Sequence, residues 1–143
     1  MIRYENWPER LSNYIAKRKD DPFAWGVNDC VLFAADCIIE MTGLDPVPPL
    51  RGGPTTALGM ARRMQDAYGS ADVTEAARAA GAVVGFPEIS WTFAQRGDVV
   101  LLENSGRPCL GICGGMMAYA PGPERIMQVP MRTALLAWQT ARQ

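Results

Sequence analysis

Thiols are the main reactive groups of this sequence. Its cysteines are Cys30, Cys37, Cys109 and Cys113. Cys30 follows Asn28 and Asp29, residue types that commonly cap helices, so we expect Cys30 in the first turn of a helix. The partial positive charge and the free N–H groups of a helix N-terminus lower the pKa of a thiol, which makes Cys30 the candidate nucleophile.

A base to serve this nucleophile is harder to find. The chain of 143 residues contains no histidine. Imidazole is the side chain whose ordinary pKa suits proton transfer near neutral pH. Cys30 also fits a purely structural role, because Cys30, Ala34, Cys37 and Ile38 follow helical spacing and predict one buried stripe over residues 30–42.

The composition limits the possible functions. The chain is 48% hydrophobic and 20% charged, with a formal net charge of −1, which is typical of a globular domain and gives no electrostatic footprint for nucleic acid. No apolar run reaches the roughly 18 residues needed to cross a bilayer, and the first residues have no apolar signal-peptide core. We therefore expect no nucleic-acid partner, no membrane insertion, no signal peptide and synthesis in the cytoplasm.

The positioning elements are predicted as helices first and strands second. Four helices are expected: one capped by Asn6 that ends at residues 20–22, one over 30–42, one capped by Thr55 or Thr56 that runs to about 68, and one over about 72–80. Gly81 is expected to stop the fourth helix. Strand candidates between Gly- and Pro-rich turns cover residues 98–102, 108–113, 116–120 and 125–129.

This order predicts an α+β fold in which N-terminal helices pack on a small antiparallel β-sheet of about four to six strands. We expect one domain over residues 1–143, with a helical part over about 1–81 and a β-meander over about 82–143.

Three segments carry a resemblance to a known family. Residues 23–33, FAWGVNDCVLF, resemble the nucleophile segment of the NlpC-type, papain-like cysteine peptidases, which act on cell walls. Residues 96–101, RGDVVL, resemble the entry to the first strand of their sheet. Residues 109–112, CLGI, fall where that family has His-Val-Gly-Ile, and residues 117–120 fall on the strand that ends in the third polar residue. The match covers roughly residues 23–130.

The sequence is most similar to a small subgroup encoded in the tail modules of bacteriophages and prophages. Arg51-Gly52 and Trp138 match further features of that subgroup. The resemblance implies a tail-tip protein whose partners are other phage tail proteins and which is carried in the virion.

The chain departs from the family at the residues that perform catalysis. Cys109 occupies the position of the catalytic histidine, and Tyr119 occupies that of the third residue. A thiol and a phenol have ordinary pKa values of about 8.5 and about 10, and neither replaces an imidazole base. The resemblance therefore favours a degenerate, non-catalytic peptidase fold that acts through protein–protein contacts, with no cofactor, metal or small-molecule ligand.

Two other functions remain open at this point. Cys30 could serve a cysteine hydrolase, acting on a peptidoglycan peptide or another amide, with a base supplied from elsewhere. Alternatively, Cys30, Cys37, Cys109 and Cys113 could ligate a metal ion or an iron–sulfur cluster. If the family geometry applies, Cys30 and Cys109 face each other and could also form a disulfide.

Overall fold

A computed structural model describes residues 2–140. Its helices pack on one antiparallel six-stranded sheet, so the predicted α+β class, with the helices N-terminal, is confirmed. The helices are α1 (Trp7–Arg18), α2 (Cys30–Thr42), α3 (Ala57–Tyr68) and α4 (Val73–Val84). The strands are β1 (Glu88–Ile89), β2 (Val99–Asn104), β3 (Arg107–Cys113), β4 (Met117–Pro121), β5 (Ile126–Pro130) and β6 (Ala134–Trp138). No helix within the described residues combines the length and apolar character needed to span a membrane.

The predicted helices are present, with two local corrections. Asn6 precedes α1, but its side chain makes no capping hydrogen bond and instead accepts one from Nε of Arg10 at 3.0 Å. The fourth helix does not stop at Gly81. It continues to Val84, and Gly85 ends it in the left-handed conformation. Gly81 lies inside the helix, and a Cβ there would lie only 3.2 Å from the Trp138 ring. The absence of a side chain at this position therefore permits close packing of the helix on the sheet.

The four predicted strands correspond to β2, β3, β4 and β5, which form an antiparallel meander. The strand order is β1-β6-β2-β3-β4-β5, so the last strand returns to pair with β2. β1 and β6 were not among the strand candidates. β1 is a two-residue strand that pairs only with β6.

The two faces of the sheet support separate cores. On one face, α1 and α2 pack through Leu11, Phe33 and Ile38 against Leu101 and Ile112. α3 and α4 extend this layer on the other side of α2. On the opposite face, Val100 and Leu102 pack with small residues of β4 and β6. The predicted buried stripe of α2 is confirmed, because its members are all buried.

A buried polar cluster joins the two ends of the described chain to the start of β2. Nη2 of Arg3 donates to Oγ1 of Thr140 at 2.9 Å and lies 3.7 Å from Oδ1 of Asp98. The Thr140 N–H donates to the same carboxylate oxygen at 3.2 Å. Asp98 is fully buried, and its second oxygen accepts the N–H of Gln95 at 2.9 Å. The Gly97-Asp98 entry to β2 is thus the point at which residues 3 and 140 meet.

Candidate functional site

The start of α2 is built by Asp29. Its Oδ1 accepts the Leu32 N–H at 2.9 Å, which caps the helix as predicted, and its Oδ2 accepts the Gly26 N–H at 3.0 Å. Burial raises the pKa of Asp29, while these backbone hydrogen bonds lower it. One carboxylate therefore fixes both the helix start and the loop before it, and places Cys30 as the first residue of α2.

The loop before Cys30 requires a glycine. Gly26 has φ +78, and a Cβ on it would lie 2.0 Å from the carbonyl oxygen of Pro54. Ala24 and Asn28 close the loop by exchanging backbone hydrogen bonds at 3.2 and 2.7 Å. The spacing of Gly26, Asp29 and Cys30 in the sequence therefore has a geometric reason that is independent of catalysis.

Cys30 is held in the core. Only 9% of the residue is exposed, and it packs in the same cluster as Phe33 and Leu110. Burial raises the pKa of the Cys30 thiol to about 12, the backbone of Leu110 lowers it, and the charges of Cys109 and Asp29 raise it further. The position at a helix N-terminus predicts a lowered pKa, and that expectation is wrong because the loss of solvent around the thiolate outweighs the helix.

Cys109 lies on the sheet and acts electrostatically on Cys30. It lies on β3 opposite Leu102, is half-buried, and contacts the cores on both faces of the sheet. Burial raises its pKa, and its charge acts on Cys30. The residue at the family's histidine position therefore acts electrostatically on the residue at its nucleophile position, although the strand register directs Cys109 toward the Leu102 face of the sheet. Cys109 does not act as a base, because a thiol with a raised pKa is protonated at neutral pH.

Tyr119 is not placed to orient Cys109. It pairs across the strands with Ile112, three positions along β3 from Cys109, which is about 10 Å at about 3.4 Å per residue. Odd spacing along a strand also puts Cys109 and Ile112 on opposite faces. The Tyr119 ring covers Gly114, where a Cβ would lie 2.3 Å from Cε2. Tyr119 therefore acts as a packing residue over a tight turn.

The remaining thiols do not extend the site. Cys37 is fully buried two turns along α2, and burial raises its pKa well above the ordinary value. Cys113 lies in the core on the other face of the sheet, and its sulfur accepts the Gly115 N–H at 3.4 Å. All four cysteines are free thiols. Within residues 2–140, no three His, Cys, Asp or Glu side chains are grouped so as to hold a metal ion.

The sequence leaves two roles open for Arg51: it could bind a carboxylate, or it could be solvated, as a lone arginine in a Gly- and Pro-rich loop usually is. The structure shows the first, because its Nη1 donates to Asp36 at 2.6 Å and its Nε donates to Asp45 at 3.0 Å. Asp36 lies off the buried stripe of α2. This position in the helical pattern is the sequence feature that indicates that the Asp36 side chain is free to contact another segment. This fork holds the connector between α2 and α3 against α2. The positive charge of Arg51 also opposes the rise that burial causes in the pKa of Asp29.

The comparison with protein families covers nearly the whole chain. A family described as "Domain of unknown function (DUF6950)" matches residues 2–140. The chain belongs to the DUF6950 family. No curated protein matches it significantly. The description of this family assigns no activity to Cys30, Cys109 or the loop at Gly26.

In this member of the DUF6950 family, exposed apolar residues lie on two segments that meet at Pro54, beside the candidate site: positions at Gly26 and at Gly59 both approach Pro54. Trp25 and Val27 flank Gly26 and are 38% and 63% exposed, and Leu58 is 61% exposed at the start of α3. From the sequence alone, Trp25, which precedes the nucleophile position, could either line a substrate groove or pack in the core. It lies at the surface and packs edge-to-face on Phe23 at 4.8 Å. We call Trp25, Val27, Pro54 and Leu58 the Pro54 rim.

Proposed function

We propose that this protein is a non-catalytic structural component of a bacteriophage tail tip. It is built on a degenerate NlpC-type peptidase fold and acts through contacts with other tail proteins. The observation that carries the non-catalytic part is the burial of Cys30, which raises the pKa of its thiol to about 12 and leaves a second thiol, Cys109, as the residue at the family's histidine position. A hydrolase needs a thiolate and a base in reach of it.

Four features support the NlpC-type fold. Helices precede an antiparallel sheet, Cys30 begins the central helix α2, and that helix packs on the strand that carries Cys109. The segment that resembles the family's entry to its first strand leads into β2, where Asp98 is buried. The virion location and the tail partners rest on the resemblance of the sequence to the phage subgroup.

The first experiment measures the rate of alkylation of Cys30 against pH in the native protein. The variant Cys30→Ser provides the background, and the urea-unfolded chain provides the rate of an accessible thiol. We expect native Cys30 to react far more slowly than the unfolded chain at every pH below about 9, because the thiol is buried and its pKa is raised. Fast alkylation with a midpoint below about 8 would overturn the non-catalytic assignment and favour the hydrolase.

The second experiment tests the partners. The protein is co-expressed with each product of the genes that flank its own, and complexes are identified by size-exclusion chromatography. We expect a stable complex with one of these products. Val27→Asp combined with Leu58→Asp is expected to weaken it at least about tenfold, because a partner that covers these exposed apolar side chains would have to bury two unpaired carboxylates instead. Val83→Asp on α4, where the side chain is 77% exposed outside the Pro54 rim, is the matched control.

A complex that forms equally well with the doubly substituted rim would contradict the role of this surface. The absence of any complex with the flanking products would contradict the assignment to a tail assembly. Amide hydrolysis by the complex, lost in Cys30→Ala, would instead show that a partner supplies the missing base.

A further inference from the structure

The segments that form the Pro54 rim are basic, although the whole chain is weakly acidic. The chain has a formal net charge of −1, but residues 46–65 contain three arginines, Arg51, Arg62 and Arg63, and no acidic residue. The adjoining loop, residues 22–28, also contains no acidic residue. Arg51 is neutralised by the two carboxylates of its fork. The positive charge beside the rim therefore comes from Arg62 and Arg63.

Arg63 is held in place by main-chain oxygens. Its Nη1 donates to the carbonyl groups of Pro49 at 2.9 Å and Arg51 at 3.3 Å. Its Nη2 lies over Gly53, where a Cβ would be 2.6 Å away, so the missing side chain makes room for the guanidinium next to Pro54. Arg63 forms no ion pair with any described residue, and its hydrogen bonds to them all come from Nη1. The guanidinium is thus fixed while its other N–H groups remain available.

Arg62 lies on the same face of α3 as Leu58, one helical turn further along. It is exposed, and it makes neither an ion pair nor a hydrogen bond with another described residue. A partner that covers Leu58 therefore comes close to Arg62 as well. A partner without acidic groups would remove water from this guanidinium and give nothing in return.

We infer that the Pro54 rim binds a segment of a partner tail protein in which apolar side chains are flanked by Asp or Glu. The apolar side chains of that segment cover Trp25, Val27 and Leu58, and its carboxylates pair with Arg62 and Arg63. A guanidinium that is fixed in advance loses little freedom on binding, and its planar N–H groups match the two oxygens of a carboxylate. The partner's identity as a tail protein rests on the proposed function, whereas its acidic and apolar character follows from the rim itself.

The probe is a short synthetic peptide in which two leucines are flanked on both sides by glutamates. It is titrated into the ¹⁵N-labelled full chain, beside one peptide with lysine in place of glutamate and one with serine in place of leucine. We expect saturable NMR shifts at Val27, Leu58 and Arg63 with the first peptide and none with the other two. Raising NaCl from about 0.05 M to about 0.5 M should weaken the binding, because salt screens exposed charges.

Arg62→Gln and Arg63→Gln are each expected to weaken binding of the glutamate peptide about tenfold, because each removes a hydrogen bond between charged groups. Arg63→Lys keeps the charge but loses the planar fork, and it should weaken binding by a similar factor. Arg62→Gln leaves the carbonyl contacts of Arg63 intact, so it tests the role of charge even if Arg63→Gln loosens the connector. Arg132→Gln is the matched control and should change nothing. It replaces an exposed arginine in the turn Met131–Thr133, which packs on the opposite face of the sheet.

Three results would overturn this inference: equal binding of the lysine peptide, the same shifts with inorganic phosphate alone, or unchanged binding in both glutamine variants. Each would show that the rim does not select an acidic, apolar segment. In the complex with a flanking gene product, Arg62→Glu combined with Arg63→Glu should prevent assembly. A complex that forms equally well with these variants would contradict the acidic partner and leave the tail function in place. Binding of the glutamate peptide without any tail complex would support the acidic, apolar specificity of the rim and contradict the tail function.

Discussion

Cys30 shows how one residue's environment can reverse the effect of its position. The first turn of α2 favours a thiolate, but the side chain packs against Phe33 and Leu110, where charge is poorly solvated. The thiol therefore behaves as a small apolar core residue at the start of a helix, as free cysteines commonly do.

This burial predicts a specific pH dependence of stability. The folded-state pKa of Cys30 is raised from 9.0 to about 12, so in alkaline solution the unfolded chain loses this proton first. The free energy of unfolding therefore decreases as the pH rises through this window, by up to about 1.4 kcal/mol per pH unit for one proton. Urea unfolding of Cys30→Ala at a series of alkaline pH values should show a slope shallower by about one proton than that of the wild-type protein. Equal slopes in the two proteins would refute the assignment of this proton to Cys30.

Asp29 is predicted to stabilise both the helix and the loop. Asp29→Ala removes the acceptor for two backbone N–H groups and should lower the free energy of unfolding by about 2 kcal/mol. Asp29→Asn keeps one acceptor oxygen and should cost about half as much. Thr56→Ala is the matched control, because Thr56 caps α3 with a single hydrogen bond to the Gly59 N–H, and it should cost about 1 kcal/mol. Chemical denaturation of the three variants checks this order, and an Asp29→Ala cost no larger than that of Thr56→Ala would refute it.

Part of the candidate site is predictable from residue types alone. Asp29 as a cap and Cys30 in the first turn follow from local rules, because both depend on neighbours in the sequence. The depth of Cys30 and the distance of Tyr119 from Cys109 depend on how α2 packs on β3 and on strand register, which no local pattern encodes.

At the scale of the elements, β3 depends on the close approach of β4 at Gly111. A Cβ at Gly111 would lie 2.6 Å from the Tyr119 carbonyl oxygen and 3.0 Å from a methyl group of Leu102. Gly111→Ala should therefore lower the free energy of unfolding by at least about 2 kcal/mol, because a backbone atom must move. Gly106→Ala is the comparison: nothing lies within 4 Å, and only its φ of +79 is unfavourable, so we expect a cost of about 1 kcal/mol. Thermal unfolding measures both, and equal costs would show that the β3–β4 contact yields easily.

The elements that the sequence predicts well have local signals. Caps at Asp29, Thr56 and Asp72 mark three helix starts, and Gly and Pro turns separate the strands of the meander. β6 is missed because Ala134–Trp138 is an unbroken apolar run without alternation, and its strand conformation depends on pairing with distant β2. β1 was missed for the same reason, because its two residues are a strand by virtue of their pairing with β6.

For the whole molecule, both edges of the described sheet carry features that disfavour the addition of a further strand. On β5, the outward N–H of Ile126 donates to the Lys19 carbonyl at 3.0 Å, and Pro130 has no N–H to offer. β1, at the other edge, has two residues, and Glu88 there is paired with Arg78 at 2.7 Å. Charged, short and proline-containing edges disfavour strand addition. Partners of this protein are therefore expected to bind through side-chain surfaces such as the Pro54 rim.

The polar cluster at Asp98 holds the two ends of the described chain close together. Arg3 and Thr140 are in direct contact, so a short linker between residues 2 and 140 can join them without disturbing β2. A circular permutant that is joined there and opened at the exposed Ser105–Gly106 turn should fold with near-native circular dichroism and a cooperative thermal transition. A permutant opened inside β3 at Gly111 should not. The arrangement of the elements in space would then not depend on their order along the chain. β2 and β3, which follow each other in the natural sequence, would pair although they stand at opposite ends of the permuted polypeptide.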